Sequence, residues 1–408
     1  MVFTVNLEEL KEVVDAEQTI SGIDKLNKFQ KLFGLMKTFL KKRKIILYGG
    51  TAMNLHLPDH SKIYTDEDFP DFDCFSLNPK KDSEDLANIF SKNNYKYIEI
   101  KHAIHDGTYK LYVDFEPVLD MTKISKANHD VLLREACEID GYYVTSIKHL
   151  KSALYLELAI PQGALFRWQK VVQRVKLMES EFKNNKSSFS IKNIQFISFN
   201  KNINNTIALM RSYAIENGMV LAGNDAIEYH LGEDDKEHCR NGLYMLTTST
   251  GLFQCLSTNM KPTVDYFKKI IEKAKFKNVV VKEEKHDFIT PYTKIFVSYY
   301  DDTYTFEKFK MNICTVFAVD EHCYSFIKSN SVKYASIFYV LHILYYSLYK
   351  NKEDDIDKVN IKNIINSLVK RININSFKTE CYGSEKTMNE IRRQRWDDNK
   401  PVVLLRLN

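Results

Sequence analysis

The sequence predicts an α+β protein with two domains. Three observations support this: the length of the chain, a strand–turn–helix unit that leads into a meander of strands, and an internal repeat. The chain has 408 residues, of which 44% are hydrophobic and 27% are charged. At about 100 to 200 residues per domain it is long enough for two or three domains. Its composition is that of a folded protein and excludes wholesale disorder.

The net charge and the cysteines indicate what kind of partner and what redox compartment the protein can have. A net charge of +5 and a pI near 8.5 permit a polyanionic partner without requiring one. The seven cysteines are scattered and show no C-x-x-C pair, which predicts buried free thiols in a reducing compartment.

The N-terminus lacks the basic flank and apolar core of a secretory signal. The most apolar stretch, Ala335 to Tyr349, is shorter than the roughly 20 residues that cross a bilayer, and we expect a buried core helix and no membrane.

Strand and helix signals alternate in the first half of the chain. Apolar residues at helical spacing after Ser21 indicate an amphipathic helix, and a short apolar run that stops at Gly49-Gly50 indicates a strand followed by a second helix. The predicted strands are 45–47, 71–75, 95–104, 108–115 and 118–122, with a turn at Asp106-Gly107 and a break at Glu116-Pro117, and the further predicted helices are 51–57, 84–90, 147–160 and 166–182.

A polar linker divides the chain. The segment KNNKSSFS, at 183–190, interrupts the apolar periodicity, which resumes near Ile207. We therefore predict a first domain over residues 1–185, including the N-terminal helices, and a second domain over residues 186–408.

A short repeat relates the two halves. IILYGGTAMNLHLP begins at Ile45 and MVLAGNDAIEYHLG begins at Met219, an offset of 174 residues. Five of the 14 positions are identical, and the apolar pattern, the turn and the helix start coincide. Duplication of the first domain is the interpretation we favour over a chance match. The second copy lacks paired aspartates.

Gly49, Gly50 and Thr51 form the first candidate site. A strand that ends in Gly-Gly-Thr at the start of a helix exposes backbone N–H groups and a hydroxyl, which suit the phosphates of a nucleoside triphosphate. The alternative for an isolated Gly-Gly is a plain tight turn.

Asp71 and Asp73 form a candidate metal-binding pair. Residues two apart on a strand point to one face, so the two carboxylates lie side by side. A divalent cation relieves their repulsion, and oxygen ligands favour Mg²⁺ or Mn²⁺ over zinc. Asp66 and Asp68 share this spacing, but Pro70 separates them from the alternating strand and assigns them to the approach loop. The alternative is a solvated acidic edge.

A third carboxylate is needed for in-line nucleotidyl transfer with two metal ions about 4 Å apart. The candidates are Asp114 and Asp120, both in the predicted hairpin. We favour Asp120 because the apolar residues Leu119 and Met121 flank it, as expected for a ligand on a buried strand.

The order of these motifs resembles the signature of the polymerase-beta nucleotidyltransferase superfamily. YGGTAMNLHL, DFPDFDCF and TYKLYVDFEPVLDMTKIS also resemble the poly(A) polymerases of giant, mimivirus-like DNA viruses and, more distantly, the poxvirus catalytic subunit. The resemblance implies that Asp71, Asp73 and Asp120 bind two Mg²⁺ or Mn²⁺ ions and that the turn at 49–51 holds the triphosphate. The long interval 52–70 departs from the pattern and implies an inserted loop.

The resemblance also implies a fold, a reaction and partners. The fold is a polymerase-beta-type catalytic domain, a mixed sheet with helices, followed by a degenerate nucleotidyltransferase-like domain with a structural or RNA-binding role. The reaction is template-independent addition of AMP from ATP to RNA 3′ ends, as in viral mRNA polyadenylation. The assembly is a homodimer, and the location is the viral factory in the host cytoplasm and the virion.

Basic residues offer candidate contacts for phosphate. Lys170 and Arg174, with Arg167, form a stripe on the helix after Pro161, and a solvated helix face is the alternative. Near the C-terminus, arginines accompany an aromatic residue, as in single-strand binders, although core packing is the alternative for the aromatic residue. The further candidates are Lys148, Lys151, Arg392, Arg393, Arg395 and Trp396.

Two other functions stay open. One is a nucleotidyltransferase that acts on a protein, a tRNA or a small molecule, because toxin-type relatives also carry Gly-Gly-Thr-Ala before paired acids. The other is a catalytically inactive RNA-binding scaffold whose acids line a surface.

Overall fold

The computed structural model describes most of the chain in two compact units. The described residues are 30–65, 68, 72–103, 105–160, 165–183, 201–231, 251–299, 309–319, 324–350, 356–372, 380–382 and 403–407. The first unit comprises Met1–Leu150 with Asn389–Asn408, and the second comprises Lys151–Met388. Among the described residues, no helix is long and apolar enough to cross a membrane.

Helices and strands alternate along both units, so the predicted α+β class is confirmed. The described helices are α1 (30–43), α2 (Gly49–His56), α3 (Pro79–Lys92), α4 (Lys126–Glu135), α5 (Ile147–Ala159), α6 (Leu165–Glu181), α7 (Lys201–Glu216), α8 (Asn224–His230), α9 (Met260–Lys273), α10 (Ile337–Lys350) and α11 (Ile356–Val369).

The described strands are β1 (Ile46–Tyr48), β2 (Phe72–Ser76), β3 (Ile98–His102), β4 (Thr108–Val113), β5 (Glu116–Lys123), β6 (Cys137–Ile139), β7 (Tyr142–Val144), β8 (Val220–Ala222), β9 (Phe253–Ser257), β10 (Lys277–His286), β11 (Ile289–Tyr299), β12 (Phe309–Ala318), β13 (Tyr324–Ser329), β14 (Val332–Ala335), β15 (Glu380–Tyr382) and β16 (Val403–Leu407).

The first unit contains an eight-stranded mixed sheet in the order β16-β3-β4-β5-β2-β1-β7-β6. The strands β2 and β5 run parallel, and β1 and β2 run antiparallel. Helix α3 buries Leu86, Ala87 and Phe90, which recur at helical spacing on one face. The centre of β5, from Val118 to Met121, is buried on both sides of the sheet, as expected for an interior strand.

One predicted break is wrong. Pro117 does not separate two strands. It lies within β5, opposite Tyr112 of β4. A register shift between Leu111 and Tyr112 loosens the hydrogen-bond ladder there, and a proline near the first residue of a strand removes little from it. The reversal instead occurs at Asp114 and Phe115, which both have a positive φ, as a two-residue hairpin turn requires.

The second unit repeats the sheet of the first. Its order is β10-β11-β12-β9-β8-β14-β13-β15. The pair β8–β9 is antiparallel, β9–β12 is parallel and β8–β14 is parallel, as are the corresponding pairs β1–β2, β2–β5 and β1–β7 of the first sheet. The strands β8 to β14 thus take the places of β1 to β7, and the predicted duplication is confirmed.

The repeated histidines make the same contact in both units. Nε2 of His56 lies 2.8 Å from the carbonyl oxygen of Thr145, and Nε2 of His230 lies 2.8 Å from that of Ala335. Burial is the main cause that lowers the pKa of each imidazole. The two histidines therefore tie the strand–turn–helix units to β7 and β14.

The division by packing differs from the predicted boundary at 185/186. Helix α6 belongs to the second unit, and β16 from the end of the chain pairs with β3 in the first sheet.

The predicted core helix is confirmed as α10, which is buried from Phe338 to Tyr349. Cys74, Cys255 and Cys314 are buried free thiols, as predicted, whereas Cys137 is exposed.

Candidate active site

Five side chains form a row across the first sheet, one from each of five neighbouring strands. The strand registers pair Tyr48 with Asp73, Asp73 with Asp120, Asp120 with Lys110, and Lys110 with Lys101. Directly opposed residues of neighbouring strands share a face of the sheet. This set, called the first row below, therefore brings Asp73 and Asp120 side by side.

The two predicted carboxylates differ in setting. Asp120 is 9% exposed and lies in the buried centre of β5, whereas Asp73 is half-buried near the start of β2. Asp114, the alternative third carboxylate, lies in the hairpin turn with φ +50° and not in the first row. Asp71 is outside the described residues, so its place beside Asp73 stays a prediction.

Lys110 is a residue of the site that sequence reasoning missed. Its Nζ lies 2.5 Å from Oδ2 of Asp120. An ammonium beside a buried carboxylate offsets the cost of burying the charge. The only signal in the sequence is a lone lysine within the apolar and aromatic run of β4, and the cross-strand register that gives it meaning is not visible there.

The glycine turn lies directly against Asp73. Gly49 has φ +73°, and a β-carbon at this position would lie 3.0 Å from Cγ of Asp73 and closer still to its Oδ2. Only glycine combines this backbone conformation with so close an approach. Gly50 and Thr51 are buried in the first turn of α2, so the predicted triphosphate cradle and the Asp73 carboxylate are adjacent.

Tyr48 is the last residue of the first row and lies next to Asp73, on the side away from Asp120. Its ring stacks on Phe75 with centroids 3.8 Å apart, and its hydroxyl lies 3.0 Å from Oγ1 of Thr122. Burial, and then the negative charge of Asp73, raise the pKa of the Tyr48 hydroxyl well above its usual value. Tyr48 therefore stays a neutral phenol at the edge of the carboxylate pair.

The donor set fits a hard divalent cation. Asp73 and Asp120 offer only oxygen ligands, and the Gly49 backbone leaves open the space that a side chain would fill. Within the described part of the chain, no group of three or more His, Cys, Asp or Glu residues forms a metal-binding cluster. The predicted trio requires Asp71, which lies outside that part.

Comparison with known proteins finds a family match for this segment. Residues 34–164, which hold the whole first row and the glycine turn, match the profile described as poly(A) polymerase catalytic subunit. The resemblance stated from the sequence is confirmed.

The individual relatives are viral. An Acanthamoeba polyphaga mimivirus protein named as a poly(A) polymerase catalytic subunit is 29% identical over 177 residues, which cover 41% of this chain and 30% of the relative. An African swine fever virus protein of the same name is 29% identical over 156 residues, covering 36% of this chain and 32% of the relative. The matched part thus spans about a third of the length of these relatives.

A solved structure matches the fold of nearly the whole chain. The crystal structure of the Megavirus polyadenylate synthase superimposes with a TM-score of 0.78, covering 99% of this chain and 86% of that protein at 20% sequence identity. At this identity the match establishes the fold alone. It supports the predicted α+β architecture of mixed sheets with helices.

The second unit carries an equivalent row without the carboxylates. The strand registers pair Ala222 with Gln254, Gln254 with Thr315, Thr315 with Lys294, and Lys294 with Lys282. In this second row, Gln254 and Thr315 stand where the poly(A) polymerase-like segment has Asp73 and Asp120. A β-carbon on Gly223, which has φ +57°, would lie 2.5 Å from Cδ of Gln254, so the cradle geometry is kept while the charge is lost.

The predicted basic residues lie in varied settings. On α6, Lys170 is exposed and Arg174 is half-buried, while the side chain of Arg167 is outside the described residues. Lys148 forms an ion pair with Glu135 at 3.3 Å. The C-terminal stretch 390–400 also lies outside the described residues.

Lys151 has a structural role. It is 2% exposed, its Nζ lies 2.7 Å from Oε2 of Glu179, and it donates to the carbonyl oxygen of Phe182 at 2.6 Å. Burial lowers the pKa of this ammonium. A lysine held in this way cannot reach a substrate phosphate without breaking a buried ion pair.

Proposed function

We propose that the chain is a template-independent poly(A) polymerase, which adds AMP from ATP to RNA 3′ ends in viral mRNA polyadenylation. The observation that carries the proposal is the in-register pairing of Asp73 with Asp120 against the Gly49 turn, within a segment that matches the poly(A) polymerase catalytic subunit family. A surface lined by acids for solubility alone does not require one of them to be buried.

Asp71, Asp73 and Asp120 would hold two divalent cations, Mg²⁺ or Mn²⁺. When bound, these ions neutralise charge on the attacking 3′ hydroxyl and on the leaving pyrophosphate. The placement of Asp73 and Asp120 on one face supports this assignment, and the part assigned to Asp71 rests on its spacing two residues before Asp73.

The chain's own residues bind and orient the substrates. The backbone N–H groups of Gly49, Gly50 and Thr51 donate to the triphosphate at the start of α2, which orients the α-phosphate for in-line attack. Lys110 holds Asp120 in place through its ion pair. On α6, Lys170 and Arg174 supply cations for phosphate, of which the exposed Lys170 is the more accessible.

The partners follow from this function. RNA 3′ ends and ATP are the substrates, the protein acts as a homodimer, and it works in the viral factory of the host cytoplasm and in the virion. The substrates extend the viral relatives' printed function to this chain, whereas the homodimer and the location extend the resemblance found in the sequence.

An elongation assay tests the proposed reaction. The purified chain is incubated with an oligoribonucleotide, Mg²⁺ or Mn²⁺, and each of the four nucleoside triphosphates separately. We expect long adenylate ladders with ATP, none with EDTA, and short or no products with the other nucleotides. Addition of a single nucleotide to a tRNA, or labelling of a protein, would instead support the alternative nucleotidyltransferase functions, and no product with any acceptor would support the scaffold.

A further inference from the structure

We propose that the second unit binds the phosphodiester backbone of single-stranded RNA at a cluster of three lysines, Lys282, Lys294 and Lys350. These residues, called the lysine cluster below, surround Glu284 on one face of the second sheet. The choice of RNA as the source of phosphate rests on the proposed function, whereas the anion-binding character of the cluster does not.

The first and second rows differ in net charge. In the first row, two lysines are balanced by Asp73 and Asp120. The second row keeps both lysines at the same register positions, as Lys294 and Lys282, and replaces both aspartates by neutral residues. The same five positions therefore change from a neutral row that suits metal cations to a cationic row that suits anions.

Positive charge surrounds Glu284 in the second unit. Its carboxylate lies 3.0 Å from Nζ of Lys282, 3.6 Å from Nζ of Lys350 and 3.9 Å from Nζ of Lys294. Among the described residues, three ammonium groups thus share this one carboxylate. Tyr292 also donates its hydroxyl to Glu284 at 2.6 Å, so the carboxylate is already saturated with donors.

Lys350 reaches the cluster from the last turn of α10. Its Nζ lies 2.9 Å from the Tyr292 hydroxyl and 2.9 Å from Nε2 of His286. Burial and then the charge of Lys294 lower the pKa of Lys350 to about 8. Burial also lowers the pKa of Lys294, so an anion that binds beside Lys294 and Lys350 stabilises both ammonium groups.

The cluster is open to solvent on one side. The side chains of Lys282, Lys350 and Lys294 are 61%, 28% and 16% exposed. Lys282 is therefore the outermost cation and Lys294 the innermost. A phosphate group can therefore approach the cluster from the Lys282 side and accept charge-assisted hydrogen bonds from its ammonium groups.

A phosphodiester fits better than a metal or a neutral ligand. The second row offers no carboxylate to a cation, and lysine donates hydrogen bonds but accepts none. A chain of phosphates also gains from releasing the counterions that each neutralised charge held. Single-stranded RNA supplies such phosphates at regular intervals, whereas a nucleoside triphosphate presents them at one end only.

Equilibrium binding by the full chain tests the proposal. The protein carries Asp73→Asn and is kept in EDTA, so no turnover occurs and failure of the proposed reaction cannot affect the result. A fluorescent oligoribonucleotide of about 15 nucleotides is titrated by anisotropy at several salt concentrations. The variants are Lys282→Gln, Glu284→Gln and the control Lys268→Gln, which removes an exposed lysine of α9 in the same unit.

We expect opposite effects from the two cluster variants. Lys282→Gln lowers affinity by about three- to tenfold and reduces the salt slope by about 0.7, the value for one lost phosphate contact on a single strand. Glu284→Gln removes the competing carboxylate and raises affinity by a similar factor. Lys268→Gln stays within about twofold of the parent. A lower melting temperature with unchanged RNA affinity in Lys282→Gln would show a purely structural network and overturn the proposal.

Proton uptake gives a second readout. A phosphodiester beside Lys350 raises its lowered pKa, so binding near pH 8 takes up protons, which calorimetry in buffers of different ionisation enthalpy detects. Lys350→Met should remove this uptake. The charged and titratable groups that face Lys350 are Glu284, His286, Lys282, Lys294, Tyr292 and Tyr346, and Asp287 lies close enough to act on Tyr346. A change in ATP affinity without a change in RNA affinity would reject RNA as the ligand.

Discussion

Lys110 and a divalent cation would compete for the Asp120 carboxylate. The ion pair of 2.5 Å already places a positive charge beside this ligand. Metal binding must therefore displace the ammonium or share the carboxylate with it. A displaced Lys110 ammonium would remain beside the Asp73 and Asp120 carboxylates, where it would meet the phosphates of a bound nucleotide. Metal binding would then be coupled to substrate binding.

We predict that Lys110→Met binds metal more tightly. Removal of the competing ammonium should raise the affinity for Mn²⁺ by about fivefold, or about 1 kcal/mol, as expected for a partly exposed ion pair. Isothermal titration of the nucleotide-free protein measures this affinity. Lys101→Met is the matched control, because Lys101 pairs with Glu99 at 2.8 Å on the next strand. Unchanged or weaker Mn²⁺ binding by Lys110→Met would count against competition.

The carboxylates could be predicted from the sequence, and the lysine could not. Asp73 and Asp120 are recognisable because apolar neighbours flank each of them on a strand-like segment. Lys110 acquires its role only through the antiparallel register of β4 and β5. That register includes a shift after Leu111 and a hairpin turn at Asp114, neither of which local sequence patterns specify.

At the scale of single elements, the strand–turn–helix unit depends on its glycine. Gly49 and Gly223 share a positive φ, and each packs against the residue at the Asp73 position of its own row. Gly34, in α1, has no positive φ, and a β-carbon added there would meet no heavy atom within 4 Å. The three glycines therefore form a matched series.

We predict that Gly49→Ala abolishes adenylate addition and destabilises the first unit. The left-handed backbone costs an alanine about 1 to 2 kcal/mol, and the overlap with Asp73 forces that carboxylate to move. Gly223→Ala should lower the melting temperature similarly and keep activity below that temperature. Gly34→Ala should stabilise by up to about 1 kcal/mol. Thermal melts and elongation assays on the same preparations check all three, and an active Gly49→Ala would show that the turn does not shape the site.

Helix α10 contributes a pH dependence of stability through His342. This residue is 1% exposed, and Nδ1 lies 3.0 Å from Oγ of Ser152. Burial lowers its pKa to about 4. The unfolded chain, with a histidine pKa near 6.5, then binds a proton that the folded chain does not. Its contribution is full above pH 6.5 and is lost as the pH falls from 6.5 to about 4.

We predict that His342→Phe flattens this dependence. Between pH 7 and pH 5 the parent should lose about 2 kcal/mol of unfolding free energy from His342 alone, on top of the losses from other buried histidines that both proteins share. Urea unfolding at the two pH values gives the difference directly. The comparison uses the change with pH, so a general loss of stability in the variant does not matter. An equal drop in both proteins would mean that His342 does not titrate in this way.

At the scale of the whole molecule, the chain contains two copies of one sheet topology. The first row and the second row of these sheets differ in charge. The sequence reveals the duplication only where the offset of 174 residues is constant, across β1 and α2. Insertions then change the spacing, so Gln254 and Thr315 cannot be aligned with Asp73 and Asp120 by counting. Their equivalence comes from the strand registers, which depend on pairing between distant segments.

The domain boundary also depends on contacts between distant segments, which local sequence patterns do not reveal. A polar linker is the local signal for a division at 185/186, but packing assigns α6 to the second unit and returns β16 to the first. The pairing of β16 with β3 cannot be recognised from the composition of either segment. Local patterns therefore predict the elements and the class of fold, while the membership of each unit follows from tertiary contacts.

The most direct test compares equivalent positions of the two rows in one elongation assay. Asp120→Asn and Thr315→Val each replace a buried side chain by one of nearly the same size, at registered positions of β5 and β12. With ATP, Mg²⁺ and an oligoribonucleotide, we predict no adenylate ladder from Asp120→Asn, and a ladder from Thr315→Val at a rate within a few fold of the parent. A full ladder from Asp120→Asn, with the protein folded, would contradict catalysis by the first row.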